Sequence, residues 1–214
     1  MKITGAIFDF DGTVFDSMDI WADMGSVYLK RIGIEASAEI APAFLNLSLN
    51  KAIQTAKEMY GVEKSTESII SDVFELLTER YLREGSPKND VIPFLERLRK
   101  KGVKMCIATA TNEEPVAAAL EKYDMLKYFG RIFTTANVGE GKTSPKMFRQ
   151  ALEFLGTEKS STWVFEDSLY SAKTAKDDGF NVVGVYDKSE LNPREMRDTA
   201  DIYIKMFGEL DNVF

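Results

Sequence analysis

Ile3-Thr4-Gly5-Ala6-Ile7-Phe8-Asp9-Phe10-Asp11-Gly12-Thr13 decides how this chain is read. The apolar run Ile3–Phe8 has the length and composition of a buried strand. Asp9 and Asp11 follow it, two residues apart. Side chains alternate on extended backbone, so the two carboxylates point the same way. Gly12 permits a sharp turn, and Thr13 adds a hydroxyl and a backbone donor. Paired carboxylates at a strand exit suit a hard cation such as Mg²⁺, which takes oxygen ligands and leaves room for phosphate. One carboxylate can then be the nucleophile and the other the proton carrier. A calcium loop counted from Asp9 fails: its sixth position is Val14 where Gly is needed, and its twelfth is Ile20 where Glu is needed.

Outward from this stretch, short apolar runs alternate with helical patterns. Strands are expected at Ile3–Phe8, Lys104–Thr109, Arg131–Thr135, Thr162–Phe165, Asn181–Val185 and Ile202–Ile204. Helices are expected at Val91–Lys101, Glu114–Tyr123, Lys146–Leu155 and Leu169–Asp178. Ser144 and Ser168 are N-cap candidates, Pro145 suits a first helical position, and Gly179 suits a helix end. Such alternation predicts an α/β core, a Rossmann-like parallel sheet with helices on both faces.

Residues 16–85 break the rhythm. They carry helical patterns at Trp21–Arg31, Leu49–Tyr60 and Ser68–Leu82, with Asp16-Ser17 available to cap the first and Gly85-Ser86-Pro87 marking the return. The expected organisation is therefore a core of residues 1–15 and 86–214 and an inserted α-helical domain of residues 16–85.

Composition narrows the chemistry. The chain has 214 residues, a net charge of −7 and no long basic run, which argues against a nucleic-acid surface. It has no histidine, which excludes histidine general bases, Ser-His-Asp triads and histidine-ligated zinc. Acid–base work therefore falls to carboxylates, lysine or tyrosine. The one cysteine, Cys106, lies inside an apolar run and is expected to be a small buried hydrophobe. No apolar stretch approaches the roughly 20 residues that span a bilayer. The start of the chain lacks a signal peptide's apolar region and cleavage site, so a cytoplasmic protein with no membrane partner is expected.

Asp9-Phe-Asp11-Gly12-Thr13-Val-Phe-Asp16 resembles the first motif of the haloacid dehalogenase superfamily of phosphatases. Three further motifs match in order. Lys104–Thr109 ends in a hydroxyl, as the second motif does. Lys142, ahead of Ser144-Pro145, is similar to the third, and Val164-Phe165-Glu166-Asp167-Ser168 is similar to the fourth. The resemblance implies Mg²⁺-dependent hydrolysis of a small phosphomonoester through an aspartyl-phosphate, with the helical insert as a cap domain. It implies Asp9 as nucleophile and Asp11 as the acid that protonates the leaving oxygen and then activates water. Thr109 and the backbone amide of Ala110 would hold phosphoryl oxygens, with Lys142 offsetting their charge. Mg²⁺ would be held by the Asp9 carboxylate, the Asp11 backbone carbonyl and the Asp167 carboxylate, and Glu166 would support that site or ligate through water. The expected partner is a small phosphorylated metabolite, and the expected state is a monomer.

Two alternatives stand beside this. Thr109-Ala110-Thr111 and Glu166-Asp167-Ser168 are also similar to phosphosugar mutases of the β-phosphoglucomutase type. Those mutases carry a cap arginine that grips a second phosphate. The matching stretch here is Asn46-Leu47-Ser48-Leu49, with Leu49 at the arginine position, and leucine cannot clamp phosphate. The other alternative is a non-catalytic binding protein on the same fold. The intact carboxylates and lysine argue against it.

Overall fold

In a computed structural model, residues 1–35 and 49–214 are described. They form two compact units, Met1–Asp16 with Ser86–Phe214, and Ser17–Gly85.

The first unit is built on a six-stranded sheet: β1 (Gly5–Phe8), β4 (Lys104–Thr109), β5 (Ile132–Thr134), β6 (Thr162–Glu166), β7 (Asn181–Val185) and β8 (Ile202–Ile204). All pairings in it are parallel and the spatial order is β5-β4-β1-β6-β7-β8. Counting only these six strands, that is the 3-2-1-4-5-6 order of the doubly wound fold. The chain proceeds from β1 to one side and then returns to the other, so the switch falls beside β1. The carboxyl ends at such a switch open a crevice where ligands bind.

Burial on both faces explains the continuous apolar runs. Ile7, Cys106, Val164 and Val182 join one core cluster with Met147 and Phe148 of the helix Lys146–Leu155 and with Ala172 of the helix Leu169–Asp177. Their neighbours Phe8 and Phe165 stack on each other, centroids 4.3 Å apart, and Phe94 and Phe207 pack against them. Cys106 is fully buried, and burial pushes its thiol pKa up, which suits a packing role.

Sequence-expected boundaries differ by small amounts. β1 starts at Gly5, and β5 is trimmed to Ile132–Thr134. The helix Lys146–Leu155 has Pro145 as its N-cap; Ser144 still contributes, its hydroxyl accepting from the Lys146 amide at 3.3 Å. Ser168 is the N-cap of its helix without a capping bond, because its hydroxyl donates to Glu166 Oε2 at 3.2 Å. Asp178 is the C-cap of that helix, and Gly179 follows in the left-handed region at φ 84°. Two short pieces carried no usable periodicity. β2 (Phe15–Asp16) and β3 (Ser86–Pro87) pair antiparallel, Phe15 opposite Pro87 and Asp16 opposite Ser86. Asp16 is exposed, with Lys88 Nζ 4.0 Å away.

The second unit contains the helices Met18–Arg31, Leu49–Tyr60 and Thr66–Arg83. Ser17 is the N-cap residue of the first, but its side chain makes no capping bond. Met24 is buried, and Trp21 Nε1 donates to Tyr81 Oη at 3.0 Å. Phe15, in the first unit, is buried against Phe10. Buried Arg80 of the third helix ties it to the first through the Ile20 carbonyl at 3.1 Å and the Asp23 carboxylate, and it pairs with Glu84 at the end of its own helix at 2.6 Å. Arg80→Met should destabilise the protein by about 1–2 kcal/mol, since the half-exposed acids rehydrate but the bond to the Ile20 carbonyl is lost. Urea unfolding at constant slope measures this; an unchanged midpoint would show that Arg80 holds nothing together.

Candidate active site

The strand order sets the site. β1 lies between β4 and β6, so the ends of all three are neighbours. Phe8 pairs with Phe165, and the Asp9 amide donates to the Phe165 carbonyl at 2.9 Å, which puts Asp9 beside the end of β6. Glu166 is the last residue of β6, and Asp167 follows it. Thr109 is the last residue of β4; Ala110 sits exposed in the bend beyond. Gly12, at φ 75°, turns the chain after Asp11, its amide bonding to the Phe15 carbonyl at 2.9 Å.

Lys142 comes from the turn ahead of the helix Lys146–Leu155. Its Nζ lies 2.5 Å from Asp9 Oδ1 and 2.6 Å from Glu166 Oε1, all three groups buried. Glu166 Oε1 also accepts from Ser171 Oγ at 2.6 Å. Lys142, Ser168 and Ser171 thus hold the fully buried Glu166 from both oxygens. Thr13 Oγ1 donates to Asp167 Oδ1 at 3.1 Å. Thr111 Oγ1 donates to Asp11 Oδ2 at 2.6 Å, and the Thr111 amide donates to Thr109 Oγ1 at 3.1 Å.

Asp9, Glu166 and Asp167 each present a carboxylate oxygen, and these oxygens lie within 4.8 Å of one another. Crowding three buried acids around one ammonium is costly. Burial raises Asp9 most; Lys142 opposes this and Glu166 adds to it, leaving the carboxyl at about 6. Asp167 is pushed well above the carboxylate range, first by burial and then by Asp9 and Glu166. For Lys142, burial favours the neutral amine, but the Asp9 and Glu166 charges outweigh it and hold the ammonium charged, above its ordinary range. A cluster of hard oxygens with excess negative charge fits a hard divalent cation.

The residues singled out from the sequence thus converge on one sheet edge. The Asp11 carboxylate is not a member of the three-acid group found among the described residues, and its Oδ2 accepts from Thr111 Oγ1. Asn46, Leu47 and Ser48 of the stretch compared with the mutase clamp lie outside the described residues, and Leu49 opens the helix Leu49–Tyr60. Sequence reasoning named Thr111 only within Thr109-Ala110-Thr111, with no role of its own, and missed Ser171. Thr111 carried a signal, as a second hydroxyl two residues beyond the strand-end threonine. Ser171 carried none, lying five residues beyond Glu166 and inside the next helix.

Residues 6–185 match the haloacid dehalogenase-like hydrolase family, and the chain belongs to that family. A Caldanaerobacter subterraneus protein provisionally named pyrophosphatase PpaX is 26% identical over 98% of this chain and 94% of its own. The phosphorylated carbohydrates phosphatase of Thermotoga maritima is 23% identical over 81% of this chain and 80% of its own. The crystal structure of CbbY from Rhodobacter sphaeroides in complex with phosphate superposes with a TM-score of 0.85 at 19% identity, covering 98% of this chain and 96% of the other; that likeness bears on fold alone. Among the described residues no helix is long and apolar enough to cross a membrane.

Proposed function

We propose that this protein is a Mg²⁺-dependent phosphoric monoester hydrolase that works through an aspartyl-phosphate on Asp9. The observation that carries this is the buried contact of Lys142 with Asp9 and Glu166, beside a three-carboxylate cluster at the switch of the sheet. Membership of the hydrolase family and the phosphatase names of its relatives support it.

In the proposed reaction an Asp9 oxygen attacks phosphorus and the ester P–O bond breaks. Asp11 gives its proton to the departing oxygen. Water then attacks phosphorus, passing a proton to Asp11 while the Asp9–phosphorus bond breaks and inorganic phosphate leaves. Two like charges about 4 Å apart repel by about 4 kcal/mol at an effective dielectric near 20, so an anion attacking a phosphate needs local compensation. Lys142 supplies one positive charge at Asp9 itself. Thr109 and the Ala110 amide are the proposed holders of the phosphoryl oxygens. Asp9, the Asp11 carbonyl and Asp167 are the proposed holders of the metal, with Thr13 orienting Asp167 and Glu166 orienting Lys142. When bound, Mg²⁺ supplies Lewis-acid stabilisation of charge on the transferring phosphoryl group. The helical unit is proposed to act as the cap that selects the substrate. Its Leu49, where a mutase would need a clamp, favours hydrolysis over phosphosugar isomerisation.

A panel of small phosphomonoesters, assayed for phosphate release with Mg²⁺ and with EDTA, tests the proposal. Release that requires the metal is the expected result. Full turnover after exhaustive chelation, or no release from any member of the panel, would contradict it.

The metal should also stabilise the fold. A ligand present at 100 times its Kd adds about 2.7 kcal/mol, and for a chain of this size that raises Tm by roughly 5–10 °C. The sign with pH is fixed. Asp9 and Asp167 have raised folded pKa values, so their favourable contribution in the metal-free protein is complete below the unfolded value near 4. For Asp9 it is lost as pH rises through about 6. Mg²⁺ binding needs both groups ionised. The Mg²⁺-induced rise in Tm should therefore be larger at pH 7.5 than at pH 5. An equal rise at both, measured by scanning fluorimetry, would place the ion elsewhere.

A further inference from the structure

We propose that Thr111 is a positioning residue for proton transfer by Asp11, an inference that rests on the phosphatase reading above. Thr111 is 3% exposed and follows β4 by two residues. Its hydroxyl donates to Asp11 Oδ2 at 2.6 Å, at the short end of the range for O–H···O bonds. Its amide donates to Thr109 Oγ1 at 3.1 Å. One residue therefore ties the acid–base carboxylate after β1 to the hydroxyl at the end of β4.

The geometry has a specific consequence. Asp9 is fixed by Lys142, and Asp167 is oriented by Thr13. Asp11 is not a member of that buried acid group, is only partly buried, and has its Oδ2 held by a hydroxyl from the other strand end. Thr111 holds the plane of the Asp11 carboxylate relative to the turn that would receive the phosphoryl group. Proton transfer demands such alignment within hydrogen-bond reach, and misplacement by about 1 Å can cost on the order of 100-fold. The cost depends on the leaving group. A phenolate that departs readily as an anion needs little help from Asp11. A more basic leaving oxygen must be protonated as its bond to phosphorus breaks.

The test compares the full-length wild type, Thr111→Val and Thr111→Ser with Mg²⁺, on phenyl phosphate and on p-nitrophenyl phosphate. Valine keeps the shape and removes the hydroxyl; serine keeps the hydroxyl. The readout is kcat/KM, which reports the phosphorylation step. For Thr111→Val, the loss on phenyl phosphate should exceed the loss on p-nitrophenyl phosphate by about tenfold or more, within the range general acid catalysis spans. Thr111→Ser should return both substrates to within about threefold of wild type, since the hydrogen bond is remade. Equal losses on the two substrates, no loss on either, or failure of serine to rescue would overturn the assignment. A wild type inactive on both substrates would instead overturn the phosphatase reading itself, and this inference with it.

Discussion

Asp9→Asn is expected to fold and to lose about four orders of magnitude or more in turnover, because removing a covalent nucleophile abolishes the route and does not merely slow it. The fold should survive because the change relieves strain. Asp9 is one of three buried acids around a single ammonium, and burial already drives its carboxyl to about 6. An amide of the same shape removes one of the crowded charges. Lys142 keeps Glu166 as its partner at 2.6 Å. The metal-free variant should therefore melt no lower than wild type at pH 7.5. Near-normal release of p-nitrophenol by this variant would contradict covalent catalysis at Asp9, whatever its stability.

Lys142→Met should damage both activity and stability. It leaves Asp9 and Glu166 buried without their shared cation, and breaking a buried pair costs about 3 kcal/mol or more. For a chain of this length that lowers Tm by roughly 6–12 °C. Turnover should fall by at least 100-fold, the usual scale for losing one preorganised electrostatic group. The two variants thus separate the roles: one removes chemistry and keeps the fold, the other removes charge balance and weakens both. A Lys142→Met protein with wild-type Tm would mean that these carboxylates are not charged neighbours in solution.

The core strands were legible because parallel strands buried on both faces are unbroken apolar runs. Lys104–Thr109, Asn181–Val185 and Ile202–Ile204 have the expected bounds. The helix Lys146–Leu155 was equally clear from its spacing. The pair β2 and β3 was not, since two-residue strands containing Asp16 and Pro87 carry no alternation. The short helix Pro193–Thr199 was missed for a similar reason, with only Met196 buried. At the site, the strand-end acids were readable because their positions follow from where apolar runs stop. The hydroxyls that orient them were harder to see. Thr111, Ser168 and Ser171 are ordinary polar residues in sequence, and only the crossing of β1, β4 and β6 ends gives them partners. Ser168 was readable as a helix start, yet its hydroxyl serves Glu166 and not the helix.

The central claim is that phosphorus passes through a covalent bond to Asp9. Acid quench of the wild type during steady-state turnover of p-nitrophenyl phosphate with Mg²⁺, followed by peptide mass spectrometry, addresses it directly. The mechanism predicts one phosphoryl group on the peptide containing Asp9, absent from Asp9→Asn and absent without metal. Phosphate release at full rate with that peptide unmodified, or with the phosphoryl group on another residue, would contradict it.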